Sequence, residues 1–229
     1  MNLAAYFKVS YGLYIISSKD GNKLNGYIAN TAFQVTAEPA QFAIACNKNN
    51  FTHNMISKSK VFAVSILERE TNSETIGVFG YKSGNDIDKF SNIPYKLGKT
   101  GSPVVLKDTI AWFEFEVTNT VDVGTHTLFI GTVVDCDILK ESAEPLTYDY
   151  YHKVKKGVSP KNAPTYIDPE KLNPKSEIEK HTCMTCGYIY NPEIGDILSN
   201  IPAGTSFEKL PHNWHCPICG VGKEDFRKE

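Results

Sequence analysis

Short runs of alternating or wholly apolar residues, broken by Gly, Pro and Asn, fill about the first 150 positions of the 229-residue chain. "YGLYIISSK" is rich in Tyr and Ile, and Asp20-Gly21 behind it is a hairpin signal. "AQFAIAC", "VFAVSIL", "IAWFEFEVTNTV" and "HTLFIGTVVDCDIL" repeat the strand pattern. Two helices are expected between them. One starts in "THNMISKSK" with Thr52 as its N-cap, and the other lies near "SETIGVFGYKSG". The pattern predicts a mainly β fold, an antiparallel barrel with helical insertions, over residues 1–152.

The pattern stops at residue 153. "KVKKGVSPKNAPTYIDPEKLNPKSEIEK" is rich in Pro and Lys and has almost no aliphatic periodicity, so residues 153–180 read as a linker and barrel-wrapping tail. As a free coil such a segment spans about 30 Å, a reach that would let a C-terminal module swing between partners. Residues 181–229 are too few to bury a sufficient core unaided, which makes a metal physically useful there.

Charge and cysteine usage narrow the partners. With 24 basic and 26 acidic side chains, the chain has no electrostatic footprint for nucleic acid or anionic lipid. No run of about 18 apolar residues predicts a membrane span. The start "MNLAAYFKVSYGLYII" lacks the basic and apolar regions of a signal peptide. Four of the six cysteines form two Cys-x-x-Cys pairs, while Cys46 and Cys136 sit in strand-like runs. That is a metal site with two separate thiols, not a disulfide framework, and it fits a reducing cytoplasm.

Each Cys-x-x-Cys turn brings two thiolates onto one ion. Gly187 and Gly220 directly follow the second cysteine of each pair. Glycine there permits a left-handed backbone and lets neighbouring amides point at sulfur. Four sulfurs in a tetrahedron suit zinc or iron, and spacing alone leaves both open. The surroundings are more specific. "CMTCGYIYNPEIGD" and "PAGTSFEKLPHNWHCPICGVGKEDF" resemble rubredoxin along their whole length. The resemblance implies one iron held by Cys183, Cys186, Cys216 and Cys219, cycling between ferric and ferrous. It also implies an aromatic core of Tyr188, Tyr190, Phe207, Trp214 and Phe226. His215, beside a ligand, is expected at the surface, since a four-sulfur site has no vacancy.

The first domain carries no G-x-G-x-x-G after a strand and no paired Glu-x-x-His motifs, which excludes a Rossmann nucleotide site and a di-iron bundle. Two stretches carry its chemistry. In "KLNGYIANTAFQVTAEPAQFAIACNKNNFTHNMI", Asn25-Gly26 reads as a turn pair, Asn30 and Thr31 offer polar contacts, and Lys48, Asn50 and Thr52 precede a helix whose N-terminus suits a phosphate. In "VDVGTHTLFIGTVVD", His126 stands between a Gly turn and an apolar strand. In this order and separation the stretches resemble the flavin reductase-like family of FMN-binding split barrels, across roughly residues 5–166. The resemblance implies that Asn25, Gly26, Asn30 and Thr31 line the isoalloxazine and ribityl chain. Lys48, Asn50 and Thr52 would hold the phosphate, and His126 would face the cofactor at a homodimer interface. Thr125 stands where the family carries Asp. "YDYYHKVKKGVSPKNAPTY" resembles the C-terminal wrap of the branch fused to rubredoxin. Cys46, near the phosphate loop, is expected to be a small buried hydrophobe.

The whole chain resembles the high-molecular-weight rubredoxins of anaerobic bacteria. That likeness implies an oxidoreductase relay from NAD(P)H to FMN, to an Fe(Cys)4 centre, and on to an external acceptor such as a flavodiiron protein reducing O2 or NO. A flavin reductase feeding a monooxygenase, and a non-enzymatic zinc-ribbon sensor, are the rival readings. No acidic or basic ribose reader can be placed, so the donor stays NAD(P)H.

Overall fold

The computed structural model describes residues 3–168 and 179–228. Residues 169–178, within the expected linker, lie outside the described residues. The first domain is one antiparallel sheet. Its strands are β1 (Tyr14–Asp20), β2 (Lys23–Ala29), β3 (Ala32–Ala37), β4 (Ala40–Asn47), β5 (Val61–Leu67), β8 (Thr109–Asp122) and β9 (His126–Ile138). Their order is β2-β1-β5-β8-β9-β4-β3, which places β2 and β3 at opposite edges although they follow one another in the chain. That wrapping of one curled sheet is the split barrel expected from the sequence. A short ribbon of β6 (Tyr95–Leu97) and β7 (Pro103–Val105) adds a flap. Among the described residues, no helix is long and apolar enough to cross a membrane.

Alternation within the strands fills one core with Ile16, Ile44, Phe62, Phe115 and Phe129, each no more than 1% exposed. The Phe62 and Phe115 rings stack at 4.7 Å. Cys46 belongs to this core, and burial pushes its thiol up to about 12, so it is an inert hydrophobe as expected. Cys136 is exposed.

Helix α1 (Phe51–Ser59) begins one residue before Thr52, and Asn50 is its cap: the Asn50 side chain accepts from the Thr52 amide. The second helical stretch is α2 (Ser73–Ile76), continued by a π-helical turn over Gly77–Tyr81. The first hairpin turns on Gly21-Asn22, since Asp20 already pairs with Lys23. Asn25-Gly26 is not a turn. Both residues lie inside β2, opposite Ser18 and Ser17. Glycine is needed there because a β-carbon at Gly26 would sit 3.0 Å from the Ile16 carbonyl oxygen and 3.3 Å from the Phe79 ring.

Helix α3 (Tyr148–Lys153) ends the barrel, and the chain then runs back over it. The tail is tied down by Tyr148 Oη to Thr165 Oγ1 at 2.7 Å and by Asn30 Nδ2 donating to Thr165 Oγ1 at 2.7 Å.

The C-terminal module has three short strands, β10 (His181–Cys183), β11 (Ile189–Tyr190) and β12 (Phe226–Lys228), in the order β11-β10-β12. The expected aromatic core is present. Tyr190, Phe207, Trp214 and Phe226 meet at centroid distances of 5.2–6.0 Å, and Tyr188 edges onto Phe226. His181 stacks on Phe207 at 4.1 Å. His215 is exposed. The module is also seated on the barrel: its core is continuous with Leu13, Ile15, Ile76 and Phe79. The structure thus adds a docked position to the expected swinging one.

Asp196 locks this small module. Its buried carboxylate accepts from Trp214 Nε1 at 2.8 Å and from the amides of Leu198 and Ser199 at 3.1 and 3.3 Å. Asp196→Ala leaves those donors unpaired, and the module should lose about 1–3 kcal/mol of stability. Chemical denaturation followed by Trp fluorescence checks this. An unchanged midpoint would mean that the aromatic packing alone holds the module.

Candidate functional site

The two Cys-x-x-Cys turns converge on a single point. Cys183 Sγ lies 3.7 Å from Cys219 Sγ, and Cys186 Sγ lies 3.5 Å from Cys216 Sγ. All four sulfurs fall within 4.8 Å of one another. Four sulfurs about 2.3 Å from one tetrahedral ion would be about 3.8 Å apart, so the spacing fits. Gly187 and Gly220 have φ of +77° and +75°, the left-handed backbone expected after each pair. The Tyr188 amide donates to Cys186 Sγ at 3.4 Å. The donor set itself calls for a cation. Contact with Cys186 draws the Cys183 thiol down, and the same contact pushes the Cys186 thiol up, because several adjacent thiolates cannot ionise together unneutralised. Cys183, Cys186 and Cys216 are buried and Cys219 is half-buried.

The barrel holds a cavity of about 280 Å³, open on one side. This is near the lower end of cofactor pockets, roughly 300–1,000 Å³. Its floor is β2, with Asn25, Tyr27, Ala29 and Asn30. One end is the N-terminus of α1, with Asn49, Asn50 and Phe51, facing Lys82, Ser83 and Gly84. The roof is the tail, Val158 to Pro164. Of the sequence-expected residues, Asn25, Asn30, Asn50 and His126 line this cavity together. Thr31 and Thr52 stand behind it. Thr31 donates to Asn30 Oδ1 at 3.1 Å, and Thr52 Oγ1 accepts from Asn25 Nδ2 at 2.9 Å. Gly26 presents its carbonyl to a buried ammonium. Lys48 is not among the lining residues; its ammonium bonds both oxygens of Asp122, at 2.7 and 2.8 Å.

One observation tests whether a flavin fits. Asn25 is 1% exposed, lines the cavity, and its Oδ1 has no hydrogen-bond donor. An orphaned buried acceptor costs about 1–3 kcal/mol, which a ligand N–H or hydroxyl in the cavity would relieve. The N-terminus of α1, capped by Asn50 and lining one end of the cavity, suits the ligand's anionic group.

His126 is set by the turn before it. Its Nδ1 meets Thr125 Oγ1 at 2.8 Å and its Nε2 meets the Asn162 carbonyl at 3.2 Å. A carbonyl can only accept, so Nε2 carries the proton and Nδ1 accepts from the Thr125 hydroxyl. Burial holds the imidazole below its usual range, against the opposing pull of that carbonyl, which keeps it neutral near pH 7. Thr125 meets Nδ1 with a neutral hydroxyl and brings no charge that would favour the cation.

Sequence reasoning missed Lys89. It is 4% exposed, lines the cavity, and donates to the Gly26 carbonyl at 2.8 Å and the Phe79 carbonyl at 3.4 Å. Burial lowers its ammonium to about 8. "YKSGNDIDKF" carried a weak signal: a Lys-Ser-Gly turn and, just beyond the stretch expected to be helical, a second lysine directly before an apolar residue.

The two sites share one wall. Ile76, Phe79, Gly80 and Tyr81 line the cavity. Ile76, Phe79, Val78 and Tyr81 also belong to the apolar cluster that contains Cys183, Cys186 and Cys216.

Known proteins match both halves. A model of the flavin reductase like domain matches residues 6–156, and a rubredoxin model matches residues 180–226. The chain is 45% identical over 229 residues to the high molecular weight rubredoxin of Moorella thermoacetica, covering 100% of both proteins. It is 47% identical over 168 residues to the ferric-chelate reductase (NAD(P)H) of Archaeoglobus fulgidus, covering 73% of this chain and 99% of that protein. Among solved structures, the FMN-binding protein of Thermus thermophilus with bound 1-cyclohex-2-enone is 25% identical with a TM-score of 0.55, over 61% of this chain and 79% of that one. The chain belongs to the high-molecular-weight rubredoxins, in which a flavin reductase-like domain and a rubredoxin domain form one polypeptide.

Proposed function

We propose that this chain is an oxidoreductase that takes electrons from NAD(P)H through FMN to a mononuclear iron centre and on to an external redox protein. The observation that carries this reading is the shared wall: Ile76 lines the barrel cavity and lies in the apolar cluster that holds the cysteines. The flavin supplies hydride acceptance and one-electron release; the four-sulfur iron supplies a one-electron carrier. The name of the Archaeoglobus relative supports NAD(P)H as donor, and that of the Thermus relative supports FMN. The acceptor we favour is a flavodiiron protein reducing O2 or NO, which the likeness to the high-molecular-weight rubredoxins implies.

Within the cavity, Asn25 and Asn30 would meet the isoalloxazine and ribityl chain. Gly26 and Thr31 would support them from behind, Gly26 by letting Phe79 close on the strand and Thr31 by orienting Asn30. Asn50 and Thr52, at the start of α1, would face the phosphate with Lys48. Lys48 would exchange its exposed Asp122 partner for it, a contact worth about 0–1 kcal/mol. Neutral His126, donating to the tail at Asn162, would hold the roof over the cofactor. No disulfide joins the described cysteines, and Cys46 and Cys136 stand apart from the four ligands, which fits a reducing cytoplasm. A homodimer is the expected assembly: edge strand β3 leaves Phe33 and Val35 about half exposed.

The order of the relay is tested on a chain stripped of flavin but retaining its iron. NAD(P)H should leave the ferric band unchanged, and added FMN should restore bleaching, since a one-electron centre cannot accept a hydride. Bleaching without flavin would overturn the order. Lys48→Ala should keep its unfolding midpoint but bind FMN about tenfold or more weakly, in line with a charge-assisted contact. Fluorescence titration of the stripped protein measures this. Equal affinity would move the phosphate to the α1 amides and Lys82.

A further inference from the structure

The segment Ser73–Tyr81 has two faces. Ile76, Phe79, Gly80 and Tyr81 look into the cavity. Gly77 looks the other way, at the second cysteine turn. A β-carbon on Gly77 would lie 3.1 Å from the Cys219 carbonyl oxygen and 3.5 Å from its Cα. The backbone at Gly77 is ordinary right-handed helix, φ −58° and ψ −49°. Every residue adopts that conformation, and alanine would favour the helix by about 1 kcal/mol. Local structure therefore supplies no reason for glycine here, whereas the approach of Cys219 does.

Neighbouring contacts agree. The Tyr81 and Tyr151 hydroxyls meet at 2.9 Å, and both rings line the cavity. Both rings also belong to the apolar cluster that contains Cys186 and Cys216, so the pair spans the seam between cavity and cysteines. A second cleft runs along the same seam, between Ser73 and the Asn213–Pro217 turn.

Resting on the relay proposed above, we infer that Gly77 is a positioning residue for its internal step. Its missing side chain lets Cys219 sit against the cavity wall, so that electrons pass to the iron across the Ile76–Gly77 peptide and the Cys219 loop. The step balances as follows. One NAD(P)H gives a hydride, becoming NAD(P)+. Two ferric centres, or one used twice, take one electron each and become ferrous, and one proton goes to solvent. Between the two passages the external acceptor re-oxidises the iron.

The test is a graded series, Gly77→Ala and Gly77→Leu, in the full chain loaded with flavin and iron. The helix backbone accepts both residues, and Ala asks the seam to yield by only a few tenths of an ångström. Anaerobic stopped-flow should show flavin reduction by NAD(P)H at the parent rate. Iron reduction should slow moderately in Gly77→Ala and about tenfold or more in Gly77→Leu, as expected for a displaced reacting pair. Small-angle scattering of the zinc-substituted proteins, which needs no turnover, should show a larger maximum dimension for Gly77→Leu than for the parent. Iron reduction at the parent rate in both variants, with unchanged scattering, would overturn the assignment while leaving the relay intact. So would a parent rate that depends on protein concentration. A parent protein whose iron never follows its flavin would instead overturn the relay itself.

Discussion

The close approach of the Cys219 carbonyl to Gly77 is the contact on which the two-domain arrangement turns. It is available because one residue of a helical wall lacks a side chain. The same wall, nine residues long, closes the barrel cavity from behind. A glycine that costs the helix something locally brings two sites to opposite faces of one turn of backbone. Apolar packing around it, from Ile76 and Val78 to the aromatic core of the small module, makes the seat continuous rather than a point contact.

The cavity is organised by groups that hold one another. Asn25 is oriented by Thr52, Asn30 by Thr31 and by the tail's Thr165, and His126 by Thr125 and the tail's Asn162. Asn25 keeps an unpartnered Oδ1, Asn30 is held by both ends of its amide, and His126 is fixed in one tautomer. Lys89 is held by two carbonyls under the floor, where burial already weakens its hold on a proton. The tail after residue 153 is thus part of the site, because its backbone carbonyl at Asn162 decides which nitrogen of His126 is protonated.

Much of this was legible in the chain. Strands β1, β4, β5, β8 and β9 came from their apolar runs, while β2 and β3 did not, and the four ligands with their glycines came from spacing, because a Cys-x-x-Cys-Gly turn has few conformations open to it. What was misread depended on tertiary contact. Asn25-Gly26 has the local chemistry of a turn, but its glycine answers to Phe79, which lies more than 50 residues away in the chain. Thr52 and Asn50 are both good caps, and only the backbone angles choose between them. Lys89 was missed because a buried lysine has no periodic signature. The seat at Gly77 was invisible for the same reason: a glycine in a helix reads as a weakness until the carbonyl that needs the space is in view.

The most direct measurement of the account is an anaerobic titration of the purified, oxidised protein with NADH, followed across the flavin and ferric-thiolate bands. A flavin holding two electrons and an iron holding one predict that both bands bleach together to completion at about 1.5 equivalents of NADH per chain. An end point near one equivalent, with the ferric-thiolate band intact, would contradict the account, since the iron would then lie outside the flavin's electron path.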